Sequence, residues 1–125
     1  MTITTYLLMS IALIIVLSFF FRGRGGNKAY EEISAEDLKS MLKDKDVQLI
    51  DVRTSAETRS GVIGKPHKIE LSSSFGKDVQ KLNKHKKYVL YCRSGRRSAM
   101  ACNMMTKLGF KHVYNLKGGY NAWTA

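Results

Sequence analysis

Short apolar runs that alternate with helix-like segments constrain the fold of this chain more than any other feature. The runs VQLIDVR and KYVLYC are typical of buried strands, and the patterns of SAEDLKSMLK and SAMACNMMTKLGF predict amphipathic helices. Strands that alternate with helices require right-handed crossovers and favour a mostly parallel sheet. The sequence therefore predicts an α/β fold with a largely parallel sheet.

A second feature divides the chain in two, because the segment Ile3–Phe21 carries no charge. Its length matches the roughly 20 apolar residues that span a bilayer core. A signal peptide would have basic residues before the apolar run and small residues at a cleavage site. Here bulky residues, Phe19 to Phe21, end the run instead. We therefore predict that residues 1–21 form an uncleaved transmembrane helix.

The basic residues after this run predict how the rest of the chain is placed. Arg22, Arg24 and Lys28 follow the uncharged segment. The positive-inside rule then places the domain in the cytoplasm, attached to the membrane by a single pass. We expect residues 22–29 to form a basic, flexible linker at the lipid bilayer and residues 30–125 to form one domain.

The net charge limits the classes of partner. The formal charge is +11, and all charged side chains follow Phe21. A nucleic-acid-binding domain would combine such charge with a recognition motif, and the sequence contains none. Anionic lipid, a small anionic substrate near Arg93, Arg96 and Arg97, and simple surface solubility remain as explanations for the basic residues.

Two places along the chain lie where a parallel sheet binds its ligands, beyond the carboxyl ends of the strands. Asp51 and Arg53 end one predicted strand, and Cys92 ends another. The loop from Cys92 to Ser98 is short enough for its backbone N–H groups to surround an anion, and Gly95 permits a positive φ there. A helix N-terminus and nearby cations favour the thiolate form of such a cysteine. The sequence therefore predicts a nucleophilic thiolate at Cys92.

The second cysteine, Cys102, falls on the apolar face of the helix that follows, so we interpret it as a small buried hydrophobe. Two cysteines with no Cys-x-x-Cys or zinc-type spacing predict neither a disulfide framework nor a metal site. We expect no metal and no cofactor.

Three segments resemble the motifs of rhodanese-domain sulfurtransferases, in a single-domain, membrane-anchored form. CRSGRRS resembles the active-site loop, commonly Cys-x-x-Gly-x-Arg-Ser; LIDVRTSAETRSGVIG resembles an Asp-Val-Arg segment with a downstream Glu; and NLKGGYNAW resembles the Gly-Gly-x-x-Ala-Trp ending. The resemblance covers Ile33 to Trp123 and departs from the family at Val62, where a His is usual.

The resemblance implies a rhodanese-like α/β fold of three layers, in which helices flank a central, mostly parallel sheet. It also implies sulfur transfer through a Cys92 persulfide. The donor would be thiosulfate or another small anionic sulfur compound, and the acceptor would be a thiol, cyanide or a protein. The residues implied to hold the persulfide or the donor are Arg93, Ser94, Gly95, Arg96, Arg97 and Ser98. Asp51 and Arg53 would lie across the strand ends and support the loop. We expect Asp51 to pair with a loop arginine, Arg97, and so to fix the shape of the loop; whether Arg96 or Arg97 contacts the substrate stays open.

Two other functions compete with sulfur transfer. Phosphatases and arsenate reductases of the same fold use a longer loop, Cys-x5-Arg, whereas the sixth position after Cys92 is Ser98 and Arg97 comes one residue earlier. The other alternative is a non-catalytic binding module tethered at the membrane. Loss of the nucleophile is the usual sign of such a module, and Cys92 is present.

Overall fold

The structure, a computed structural model, describes residues 2–22 and 29–125. It has one five-stranded sheet and six helices in these residues. The strands are β1 (Glu31–Ile33), β2 (Val47–Asp51), β3 (His67–Lys68), β4 (Lys87–Tyr91) and β5 (His112–Leu116). The helices are α1 (Ile3–Arg22), α2 (Ala35–Met41), α3 (Ser55–Arg59), α4 (Phe75–Val79), α5 (Arg96–Lys107) and α6 (Gly119–Thr124).

The sheet confirms the predicted parallel arrangement. Its strand order is β1-β5-β4-β2-β3, and every neighbouring pair is parallel. The longest strands, β2, β4 and β5, lie together in the middle of the sheet. The register pairs Asp51 with Tyr91, so β2 and β4 end at the same level. Residues that follow these two strands therefore meet at one edge of the sheet.

Alternate residues of the central strands pack into two separate cores, which defines the three layers. Ile50 and Leu90 belong to one core, which also contains Phe75 of α4 and Met105 of α5. Their strand neighbours contribute to the opposite core, beneath α2, whose Leu38 is fully buried. Burial on both faces explains why these strands are continuous apolar runs rather than alternating ones.

The N-terminal helix requires a correction. A helix, α1, covers the uncharged segment, and its apolar side chains are exposed as far as residue 18. Among the described residues, however, no helix combines the length and the apolar character that crossing a membrane needs. The predictions of a transmembrane helix, a single-pass topology and a bilayer partner are therefore not supported. Most of the predicted linker, residues 23–28, lies outside the described residues.

Candidate active site

The carboxyl ends of β2 and β4 bring the predicted site residues together. Cys92 comes directly after the end of β4, and Arg53 comes two residues after the end of β2. The N–H of Val52 donates to the carbonyl of Tyr91 at 3.1 Å, which extends the parallel pairing up to the site. The loop from Cys92 and the segment from Asp51 are thus neighbours, as the sheet rule predicts.

The sulfur of Cys92 lies in a ring of hydrogen-bond donors. The backbone N–H of Gly95 donates to Sγ at 3.1 Å, and the hydroxyl oxygen of Ser98 lies 3.4 Å from it. Burial acts to raise the pKa of Cys92, but the Ser98 hydroxyl and the N–H groups of Ser98, Ser94 and Gly95 outweigh it and bring the pKa below its ordinary value. The site therefore favours a negatively charged sulfur, although Cys92 is only 1% exposed.

Gly95 is required by the shape of this loop. It has φ of +98°, as expected, and an added Cβ would come within 3.2 Å of the Leu116 carbonyl oxygen and 3.3 Å of the Gly118 nitrogen. The helix α5 begins directly after it at Arg96, two residues earlier than the sequence predicts. The earlier start brings the helix N-terminus, with its partial positive charge, closer to the sulfur.

Arg97 does not pair with Asp51, so that prediction is wrong. Its guanidinium donates two hydrogen bonds to the carboxylate of Glu57 on α3, at 2.8 and 2.9 Å. The same carboxylate accepts hydrogen bonds from the backbone N–H and the hydroxyl of Thr54, in the capping box of α3. The Arg97 hydrogen bonds lower the pKa of Glu57 from 4.5 to about 2, against the opposing effect of partial burial. Arg97 thus ties the start of α5 to α3.

Asp51 pairs instead with Arg53, two residues away. Both side chains are buried, and the guanidinium contacts both carboxylate oxygens, at 2.8 Å for the shortest. The guanidinium also donates to the carbonyl of Gly61 at 2.6 Å and lies 4.2 Å from the ring centroid of Tyr120. These contacts satisfy both charges, which makes the pair a structural support of the site.

The other two loop arginines, Arg93 and Arg96, are exposed. Arg93 lines an open cleft of about 210 Å³ together with Arg53, Glu57 and Tyr120. Arg96 lines a different cleft, of about 450 Å³, beside the same loop. Of the three loop arginines, Arg97 is held by Glu57, whereas the side chains of Arg93 and Arg96 face open clefts.

The double glycine of NLKGGYNAW proves to lie against the site, although the sequence analysis gave it no role there. A Cβ on Gly119 would lie 2.5 Å from the Cys92 carbonyl oxygen and 2.7 Å from the Arg93 carbonyl carbon. The next two N–H groups, of Tyr120 and Asn121, donate to the carbonyls of Cys92 and Arg93 at 2.8 and 3.0 Å. The beginning of α6 therefore packs directly on the active-site loop and fixes its position.

Asn115 is another residue that the sequence analysis did not single out. It is buried in β5, and its side chain contacts Ser98 and the carbonyl of Gly95. An asparagine inside an otherwise apolar strand, VYNL, is the signal that could have identified it, because a buried amide needs polar partners.

Cys102 behaves as predicted. It is fully buried in the core beneath α5, and burial raises its pKa above the ordinary value. Its thiol lies 3.6 Å from the carbonyl oxygen of Tyr114. The two cysteines therefore have opposite environments, and Cys92 is the one whose surroundings favour the thiolate.

A parallel α/β sheet that presents a cysteine at the end of a strand, in a short loop of hydrogen-bond donors before a helix, defines the class of domain. Comparison with known proteins identifies the family within this class: residues 34–125 match the family model described as Rhodanese-like domain. The chain belongs to this family.

Similar sequences and similar solved structures support this family membership. A protein of Allochromatium vinosum named Sulfurtransferase is 39% identical over 94 residues, which cover 74% of this chain and 86% of that protein. The crystal structure of a rhodanese-like domain protein from Staphylococcus aureus is 32% identical, with a TM-score of 0.68 and coverage of 74% of this chain and 90% of that one. A rhodanese-related protein from Thermoplasma volcanium also has a TM-score of 0.68 and 32% identity, over 76% and 91% of the two chains.

Proposed function

We propose that this chain is a sulfurtransferase that carries a sulfane sulfur on Cys92. The observation that supports this most is the environment of the sulfur, which is held by backbone N–H groups and a hydroxyl rather than by a general base. Such donors stabilise a thiolate and also a persulfide anion, because both carry negative charge on sulfur. The family and a sulfurtransferase-named relative point to the same chemistry.

In the first half-reaction, the thiolate of Cys92 attacks the outer sulfur of a donor such as thiosulfate. The S–S bond of thiosulfate breaks, sulfite leaves with the bonding electron pair, and Cys92 becomes a persulfide anion. The exposed cations Arg93 and Arg96 attract the dianionic donor to the loop.

In the second half-reaction, a nucleophile such as cyanide or a thiol attacks the outer sulfur of the persulfide. With cyanide the product is thiocyanate, and the electron pair of the broken S–S bond returns to Cys92 as thiolate. The N–H groups around Cys92 stabilise the thiolate as it forms again, and they need no rearrangement because they already face the sulfur. A protein persulfide acceptor would follow the same electron flow.

The test compares two matched cysteine variants in an assay that measures thiocyanate formed from thiosulfate and cyanide. Cys92→Ser should abolish turnover, because serine cannot form a persulfide, while Cys102→Ser should keep most of it, because the Cys102 thiol is buried and its pKa is raised. Turnover that survives in a folded Cys92→Ser protein would overturn the assignment.

A further inference from the structure

A continuous chain of polar side chains runs from Cys92 to the edge of the sheet. The hydroxyl oxygen of Ser98 lies 3.4 Å from the sulfur of Cys92 and 2.6 Å from Oδ1 of Asn115. Nδ2 of Asn115 lies 3.1 Å from the Gly95 carbonyl oxygen and within 3.2 Å of both carboxylate oxygens of Glu32 on β1. Ser98 and Asn115 are both buried, so the contact between them is an interaction in a low-dielectric environment.

The partners of Asn115 fix the orientation of its amide group. Three oxygen atoms surround one end of the amide, and carbonyl and carboxylate oxygens can only accept hydrogen bonds. The NH₂ group must therefore lie at that end, and Oδ1 must face Ser98. Since Oδ1 carries no proton, the Ser98 hydroxyl donates to it across the 2.6 Å contact.

A hydroxyl has one proton, so Ser98 cannot donate to Asn115 and to the sulfur of Cys92 at the same time. The shorter contact favours Asn115 while the thiol is neutral. When the sulfur becomes an anion, a hydrogen bond to it is charge-assisted and stronger. Negative charge on the sulfur therefore favours rotation of the Ser98 hydroxyl, so that it donates to the sulfur instead of to Oδ1.

We propose that Asn115 is a positioning residue that competes with the sulfur of Cys92 for the hydroxyl proton of Ser98. It holds that proton while the sulfur is neutral and releases it when negative charge forms there. No covalent bond breaks in this step, because the hydroxyl only rotates about its bond to carbon. The inference rests on the proposed function only for the identity of the anion, since the bare thiolate meets the same competition.

The competition predicts opposite effects for two substitutions of Asn115. Asn115→Leu keeps the approximate size and removes the competing acceptor, so Ser98 is free to donate to the sulfur. The carbonyl of Gly95 still accepts from the N–H of Ala99 at 3.2 Å, so it keeps a partner in this variant. Asn115→Asp is made together with Glu32→Gln and compared with Glu32→Gln alone, because its second oxygen replaces Nδ2 and would otherwise face the Glu32 carboxylate. The new carboxylate is then a charged acceptor that holds the Ser98 proton more strongly.

The experiment measures the rate at which iodoacetamide alkylates Cys92 as a function of pH, with Cys102→Ser as the parent protein. Below the midpoint of the titration, Asn115→Leu should alkylate faster, because one neutral hydrogen bond raises the thiolate fraction about two- to tenfold and the lower nucleophilicity of that thiolate offsets only part of the gain. The plateau rate at high pH should not rise, and should fall somewhat, because a thiolate of lower pKa is less nucleophilic. Asn115→Asp should alkylate more slowly below the midpoint. Adding Ser98→Ala should remove the acceleration by Asn115→Leu and most of the slowing by Asn115→Asp.

The plateau separates this account from a loosened loop, because greater access to the sulfur would raise the rate at every pH. An acceleration that persists unchanged at the plateau, or that remains in the Ser98→Ala protein, would overturn the proposal, and so would the absence of any acceleration in a folded Asn115→Leu protein. If Asn115→Leu does not fold, the Asn115→Asp and Ser98→Ala pair decides the matter: additive effects on the rate reject the competition. Alkylation needs no sulfur donor, so these outcomes are independent of whether sulfur transfer is observed.

Discussion

The ion pair between Glu57 and Arg97 leads to a prediction for Glu57→Gln. The shift of the Glu57 pKa from 4.5 to about 2 corresponds to roughly 3 kcal/mol of preference for the charged form. The side chains of Arg97 and Glu57 are 37% and 27% exposed, and solvent screening reduces the contribution to about 1–2 kcal/mol. Because glutamine can still accept from Thr54, the substitution removes mainly the charge. We therefore expect the free energy of unfolding to fall by about 1–2 kcal/mol at pH 7, and the melting temperature by about 5–10 °C.

The lowered pKa of Glu57 also predicts how the stability difference changes with pH. A carboxylate whose pKa is lowered in the folded state contributes fully above its unfolded pKa and loses the contribution as the pH falls through its folded pKa. The difference between the wild-type protein and Glu57→Gln should thus shrink from pH 7 to less than half at pH 3, measured by urea unfolding at each pH. The exposed Glu70 supplies a control, since Glu70→Gln should change little at either pH. Equal stability of Glu57→Gln and the wild type at pH 7, or a difference that does not shrink at pH 3, would show that the ion pair does not stabilise the domain.

Three further predictions concern the shape and charge of the loop. Gly119→Ala should destabilise the domain by about 2 kcal/mol or more, because its Cβ would overlap the backbone of the active-site loop at a positive φ, while Gly76→Ala on α4 should be tolerated or stabilising; thermal unfolding compares the two. Arg96→Ala should raise the KM for thiosulfate more than it lowers kcat and should leave the free energy of unfolding nearly unchanged, because Arg96 is exposed. Arg97→Ala should lower the free energy of unfolding, because it removes the ion pair with Glu57. Steady-state kinetics and unfolding curves test this difference, and equal unfolding free energies of the two variants would contradict it. The unmodified protein should turn over thiosulfate and leave an aryl phosphate unchanged under the same conditions, because a phosphate needs a longer ring of donors, and equal or faster phosphate turnover would reject it.

The central strands of the sheet could be predicted from the sequence, because a strand that is buried on both faces is a continuous apolar run. β2 and β4 are continuous apolar runs, and each is followed by polar residues at its carboxyl end. The position of Cys92 at the end of β4 and the positive φ of Gly95 followed from the same pattern. Local chemistry was therefore sufficient for the framework and for the place of the loop.

The pairing of charges could not be predicted in the same way. Asp51 and Arg97 both lie near the strand ends, but Arg53 is only two residues from Asp51, and its backbone N–H also donates to that carboxylate at 2.9 Å. Arg97 then pairs with Glu57, 40 residues away, whose position depends on how α3 packs beside the loop. Spacing along the chain does not contain this information, because several acceptors lie within reach of one guanidinium.

The long-range contacts of β5 and α6 were missed for a related reason. Asn115 could have been recognised as a buried amide, but its partners come from β1 and from the loop. The requirement for glycine at position 119 arises from the backbone of Cys92 and Arg93, which approaches only in the folded domain. Such requirements appear when distant segments are brought together.

The measurement that tests sulfur transfer most directly is mass spectrometry of the two cysteine-containing peptides after the protein is exposed to thiosulfate. We expect the peptide containing Cys92 to gain the mass of one sulfur atom, and cyanide to remove it with release of thiocyanate. The peptide containing Cys102 should stay unchanged, because that thiol is buried and its pKa is raised. A folded protein that gains no sulfur at Cys92, or that gains it at Cys102 instead, would contradict the account.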